Sequence, residues 1–167
     1  YKKDTHTSTK VFTQHADLSA GFRSTLLKLK SFPLPPTGVS AVICNFAIHY
    51  LINSAASLKN IYSLVNSLLG SNGGYFMFTC YSGKAVFNKL KDIPPKETFF
   101  WREGERVRNA IRKEYTGDKL TLYGQNISVM LPFSKDEYYT ESLINIDNLI
   151  EFFEKYGFVA EMNESFS

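Results

Sequence analysis

Two nearly continuous apolar runs, separated by one amphipathic stretch, constrain the fold of this chain more than any other feature. Val39-Ser40-Ala41-Val42-Ile43-Cys44-Asn45-Phe46 and Tyr75-Phe76-Met77-Phe78-Thr79-Cys80-Tyr81 each fit a strand buried on both faces, as in a parallel sheet. Between them, Ser57 to Leu69 places Leu58, Ile61, Leu64, Val65, Leu68 and Leu69 on one helical face. Gly70-Ser71-Asn72-Gly73-Gly74 stops that helix. Strand, helix, strand with short connections is the signature of a parallel α/β sheet.

The flanking segments extend the pattern. Lys10 to His15 alternates like a short strand and runs into Ala16-Asp17-Leu18-Ser19. Phe22 to Lys30 is basic and amphipathic and predicts a short helix. Ser31 to Gly38 holds three prolines and is a loop. Ala85 to Lys91 predicts a helix ended by Pro94-Pro95. From about 99 to 141 the character changes to β-formers and turn residues, which predicts an antiparallel insertion. Within it, Tyr115 to Leu120 reads as a hairpin and Leu122 to Met130 as further strands. Asp147 is expected to cap a helix from Asn148 to Tyr156, closed by Gly157, and Phe158 to Met162 to begin one more strand.

A length of 167 residues suits one domain, and 44% hydrophobic residues rule out a disordered chain. The formal charge of +3 permits a polyanionic partner without demanding one. Cys44 and Cys80 lack zinc-ligand spacing and read as buried free thiols. No apolar stretch is long enough to span a membrane.

Asn45-Phe46-Ala47-Ile48-His49-Tyr50 lies at the carboxyl end of a buried strand, the edge where open α/β sheets take ligands. An amide, an imidazole and aromatic rings together there suit a purine, although a lone His after a strand is more often structural. Asp17 ends an earlier strand and can accept from an adenine amine or a ribose hydroxyl; on residue type alone a helix cap is favoured. Glu141 can take the N1 and N2 donors of a guanine if buried, and is an exposed strand-end charge otherwise. Arg102, Arg106, Arg108, Arg112 and Lys113 form the densest basic run, but Glu103, Glu105 and Glu114 interleave with it as in a salt-bridged face. Gly73-Gly74 precedes a strand rather than a helix, so it is a tight turn and not a dinucleotide fingerprint.

Together these residues resemble the mRNA cap guanine-N7 methyltransferase family, above all the methyltransferase domain of capping enzymes from large DNA viruses of the African swine fever virus and poxvirus type. The family's C-Q-F-x-x-H-Y motif stands here as Cys44 to Tyr50, its L-x-x-G-G-Y-F-I segment as Leu69 to Met77, its acidic A-D motif as Ala16-Asp17, and its glutamate followed by a helix ending in Y-G-F as Glu141 to Phe158. The likeness covers roughly residues 10 to 160.

The resemblance implies a Rossmann-like class I methyltransferase fold, a central mostly parallel sheet flanked by helices. It implies that residues 1–167 are the C-terminal portion of an S-adenosylmethionine-dependent domain, with the donor's D-x-G-C-G-type loop before residue 1 and a cap-stacking aromatic after Ser167. Asp17, Leu18 and Asn45 would face the donor, and Phe46, His49, Tyr50, Tyr81 and Glu141 the cap guanine. The implied reaction moves a methyl group to guanine N7 by positioning and electrostatics, with no general base or metal.

Partners implied are the capped mRNA 5′ end, the rest of the domain, upstream guanylyltransferase and triphosphatase domains and a stimulatory subunit, in the cytoplasm and not at a membrane. Two alternatives stand beside it: another S-adenosylmethionine-dependent methyltransferase, and a catalytically silent cap-binding or stimulatory subunit.

Overall fold

The computed structural model describes residues 11–13, 15, 18 and 21–164. The order is α1 (Phe22–Leu29), β1 (Ala41–Asn45), α2 (Ile48–Leu51), α3 (Ala55–Leu69), β2 (Tyr75–Thr79), α4 (Gly83–Lys89), β3 (Thr98–Glu103), β4 (Arg106–Lys113), β5 (Asn126–Met130), β6 (Tyr139–Ser142) and α5 (Ile146–Glu154). Strands β1 and β2 pair in parallel, with Ala41 opposite Tyr75 and Asn45 opposite Thr79. Strands β3 to β6 form an antiparallel sheet in sequence order.

The βαβ unit forms as its periodicity predicts. Ser54 caps α3 by accepting from the Ser57 N–H, and the Ser57 hydroxyl in turn accepts from the Ser54 N–H. This starts the helix two residues earlier than the apolar pattern alone suggests. Leu58, Ile61, Leu64, Val65 and Leu69 are buried, and Leu68 is half-buried. Gly70 ends the helix at φ 67°, and a side chain there would strike the Thr37 carbonyl.

Neither strand is buried on both faces, contrary to expectation. Val42, Cys44, Phe76 and Phe78 pack on the core, while Ile43 and Tyr75 are each 60% exposed and Met77 47%. Among the described residues nothing covers that second face; four of the six strands there are antiparallel, and the expected mostly parallel, Rossmann-like sheet is not seen beyond one parallel pair.

Other expectations change for local reasons. Residues 11–13 and 15 form no strand, nor do 158–162; neither pairs with a neighbouring strand among the described residues. The tight hairpin falls at Gly104-Glu105, where Gly104 supplies φ 60°, while 114–125 is an irregular connection between β4 and β5. Asn145, not Asp147, caps α5: its side chain accepts from the Asn148 N–H, and Asp147 sits in the first turn, where its charge suits the helix dipole. Both cysteines are free and half-buried.

Two cores meet at one connection. The first holds Ile48, Ile52, Leu58, Ile61, Val65, Leu69, Ile144, Leu149 and Phe153; the second holds Phe87, Leu90, Ile111, Tyr115, Ile127, Val129 and Leu143. Consecutive residues Leu143 and Ile144, both fully buried, enter different cores. Each such burial is worth about 1.5–3 kcal/mol. The segment just before them, Glu141-Ser142, is thereby held where the two cores join.

Candidate functional site

At that junction α2 packs against β6. Glu141 is 6% exposed and lies on the face of β6 turned toward the second core, opposite Ile127. A carboxylate is costly there unless it is hydrogen-bonded. The Tyr50 hydroxyl donates to its Oε1 at 2.6 Å, and the His49 Nε2 stands 3.9 Å from Oε2. The rings of Tyr50 and Tyr81 lie 4.3 and 5.0 Å from the His49 ring, centroid to centroid. Tyr81 is fixed from its far end, where its hydroxyl donates to the Ser142 carbonyl at 2.7 Å. The result is a carboxylate bordered by an imidazole and two phenols.

The electrostatics follow from burial. Burial holds the His49 imidazole below its ordinary range, outweighing the opposing pull of Glu141. A neutral His49 at pH 7 makes its Glu141 contact a polar one rather than an ion pair. Its Nδ1 is buried without a protein partner. Partial burial, then the hydrogen bond to Glu141, push the Tyr50 phenol up to about 12, so it remains a donor. Burial pushes Tyr81 up further, with the Glu141 charge adding to it.

The approach to this cluster is unusual backbone. Phe46 sits at φ 46°, a conformation rare for a bulky residue. Its N–H lies 3.0 Å from both the carbonyl and the hydroxyl of Thr79, the last residue of β2. Two acceptors on the neighbouring strand thus hold the turn that aims α2.

Of the residues predicted from sequence, the fold brings together His49, Tyr50, Tyr81 and Glu141. Asn45 ends β1 and Phe46 follows it on the turn leading into that group; both are exposed. Leu18 is exposed in a turn, and Asp17 lies outside the described residues. Glu141 is buried, so the exposed strand-end reading does not hold for it.

The basic run divides. Arg108 pairs with Glu103, and Arg112 with Glu114 at 2.6 Å. Lys113 turns inward, donating to the carbonyls of Leu90 and Ile93 at 3.1 and 2.9 Å, because β-strand alternation puts it on the core face. Tyr139 was not singled out by sequence. It lies two residues before Glu141 on the same face of β6 and is exposed. The period of two in a strand was the signal for it.

No protein-family model matches the chain. It is 32% identical over 176 aligned residues to the mRNA-capping enzyme of African swine fever virus isolate Pig/Kenya/KEN-50/1950, and equally to that of isolate Tick/South Africa/Pretoriuskop Pr4/1996. Each alignment takes in 99% of this chain and 20% of the viral protein. Over nearly its whole length, the chain is therefore a relative of a segment that makes up one fifth of viral mRNA-capping enzymes.

Proposed function

We propose that this chain carries the cap-guanine side of an S-adenosylmethionine-dependent mRNA cap (guanine-N7) methyltransferase. The observation that carries the reading is the buried Glu141 carboxylate bordered by His49, Tyr50 and Tyr81. Guanine presents adjacent N1–H and N2–H donors on one edge, and a carboxylate accepts from both. Each carboxylate oxygen has two lone pairs, so the Tyr50 bond leaves capacity for them.

The N7 lone pair of guanine is free at neutral pH, so the chain has no proton to remove from it. The donor, when bound, would supply an electrophilic methyl group on its sulfonium sulfur, and the sulfur–methyl bond would break to leave a neutral thioether. The work left to the protein is holding N7 in line with that methyl. The guanine becomes cationic as the bond forms; Glu141 favours that charge, and the faces of Tyr50 and Tyr81 attract it. The exposed Asn45 amide, at the carboxyl edge of β1, fits a polar part of the donor, and the resemblance assigns Asp17 and Leu18 to the donor as well.

In this reading the open face of β1 and β2 is interior to the complete, Rossmann-like methyltransferase domain, since parallel sheets are covered on both faces. Guanylyltransferase and triphosphatase domains and a stimulatory subunit are its cytoplasmic partners. The test is methyl transfer to capped and uncapped RNA by protein containing the whole domain. Glu141→Gln and His49→Ala are expected to lower transfer to capped RNA at least about 100-fold with the fold intact by circular dichroism. Wild-type turnover in both variants would sink the reading.

A further inference from the structure

A concave surface lies at the far end of the same antiparallel sheet. It is a groove of about 500 Å³ between the β3–β4 hairpin and the 131–136 loop, lined by Arg106, Arg108, Met130, Phe133, Lys135 and Asp136 among others. We propose that this groove binds the single-stranded RNA body of a capped transcript whose guanine occupies the Glu141 site.

Three observations carry it. First, the groove combines cations with unpacked rings. Arg106, Arg108, Lys135 and Phe133 line it, Phe133 is 78% exposed, and Phe100 stands exposed on the same face of the neighbouring strand β3. Arg102 lies over the Phe100 ring at 5.3 Å. Basic groups that follow a backbone, with rings on which bases stack, are the chemistry of single-stranded nucleic acid binding. Glu103 engages Arg108, but neither Arg106 nor Lys135 makes an ion pair among the described residues.

Second, the loop is built rather than slack. Lys135 and Asp136 are consecutive non-glycine residues at φ 51° and 65°. The buried Ser134 hydroxyl holds them there: it accepts from the Leu131 N–H at 3.3 Å, and its one proton has the carbonyls of Leu131 and Glu137 within reach at 3.0 and 2.8 Å. Strain held in place by a buried anchor at a surface groove is the pattern of a binding loop.

Third, the groove and the guanine site share strands. Met130 ends β5 three residues from Ile127, which pairs with Glu141. Three residues of strand span roughly 10 Å along β5, and because the spacing is odd Met130 and Glu141 leave opposite faces of the sheet, so the RNA passes round the end of β5 between them. Exposed Tyr139, paired with Val129, lies between the two.

The inference takes its 5′-to-3′ direction from the guanine reading, and its test is independent of methyl transfer. A capped 12-nucleotide RNA carrying 4-thiouridine is photocrosslinked to the full chain, and the crosslinked peptides are mapped. Crosslinks within 100–108 and 130–136 are expected. Arg106→Gln with Lys135→Gln is expected to make the slope of log affinity against log salt shallower by about 1.4. Phe133→Ala is expected to weaken binding about tenfold.

Crosslinks confined to other segments, or an unchanged salt slope, overturn the proposal. So does displacement of the RNA by polyglutamate at equal charge concentration, which marks the groove as a seat for acidic protein. Crosslinks at the groove in a protein that fails to bind a cap dinucleotide support it while sinking the guanine reading.

Discussion

The Tyr50 hydroxyl donates to Glu141 across 91 positions of sequence, at 2.6 Å. This bond ties the helix at the end of the parallel pair to the edge strand of the antiparallel sheet. Tyr50→Phe should therefore leave a buried carboxylate oxygen short of a donor. The expected cost is about 1–2 kcal/mol of stability, read by urea denaturation, with cap-analogue affinity falling about fivefold by calorimetry. Unchanged affinity would mean that Tyr50 does not position Glu141.

The same cluster sets a pH response. The unfolded imidazole titrates near 6.5 and the folded His49 below it. Acidification through that window protonates unfolded chains first, so stability falls as pH drops below 6.5. For Tyr50 the direction reverses: unfolded phenol ionises near 10 and the folded one near about 12, so stability falls as pH rises from 10 to 12. Absorbance at the phenolate band should show tyrosines titrating above pH 11 in the wild type. Glu141→Gln should lower the midpoints of two of them, Tyr50 and Tyr81, because the neighbouring charge is gone.

Gly83 begins α4 against the backbone of Ile144, where any Cβ would collide with the carbonyl. Gly83→Ala is expected to cost about 1–3 kcal/mol and to loosen the Tyr81 bond to Ser142, two residues away in sequence from each partner. Thermal melting reads the first, and a lowered Tyr81 midpoint the second. A variant as stable as wild type would show that the α4 start can shift freely.

Lys113→Met removes the donor shared by the Leu90 and Ile93 carbonyls at the end of α4. Stability should fall by about 1–3 kcal/mol, while RNA affinity and its salt slope stay at wild-type values. A changed slope would place Lys113 on the surface.

How much of this was legible beforehand depends on the range of the interaction. The amphipathic period of α3, the glycine stop at Gly70 and the parallel pairing around it follow from local pattern, and the structure has them. Residues 158–162 have strand composition and form none among the described residues, because a strand exists only with a partner.

The site shows the same division. Residue types at Cys44 to Tyr50 and at Glu141 sufficed to name the candidates, since a carboxylate and aromatic rings have the same chemistry wherever they lie. Sequence alone left Glu141 as readily an exposed charge and Lys113 as readily a phosphate contact. Tertiary structure decided both. Leu143 and Ile144 enter two different cores, which draws Glu141 under Tyr50 and His49. Strand alternation in β4, once its register was set by β3 and β5, turned Lys113 inward and left Arg106 outside. Burial is a property of what packs against a residue, and here the packing partners come from distant parts of the chain.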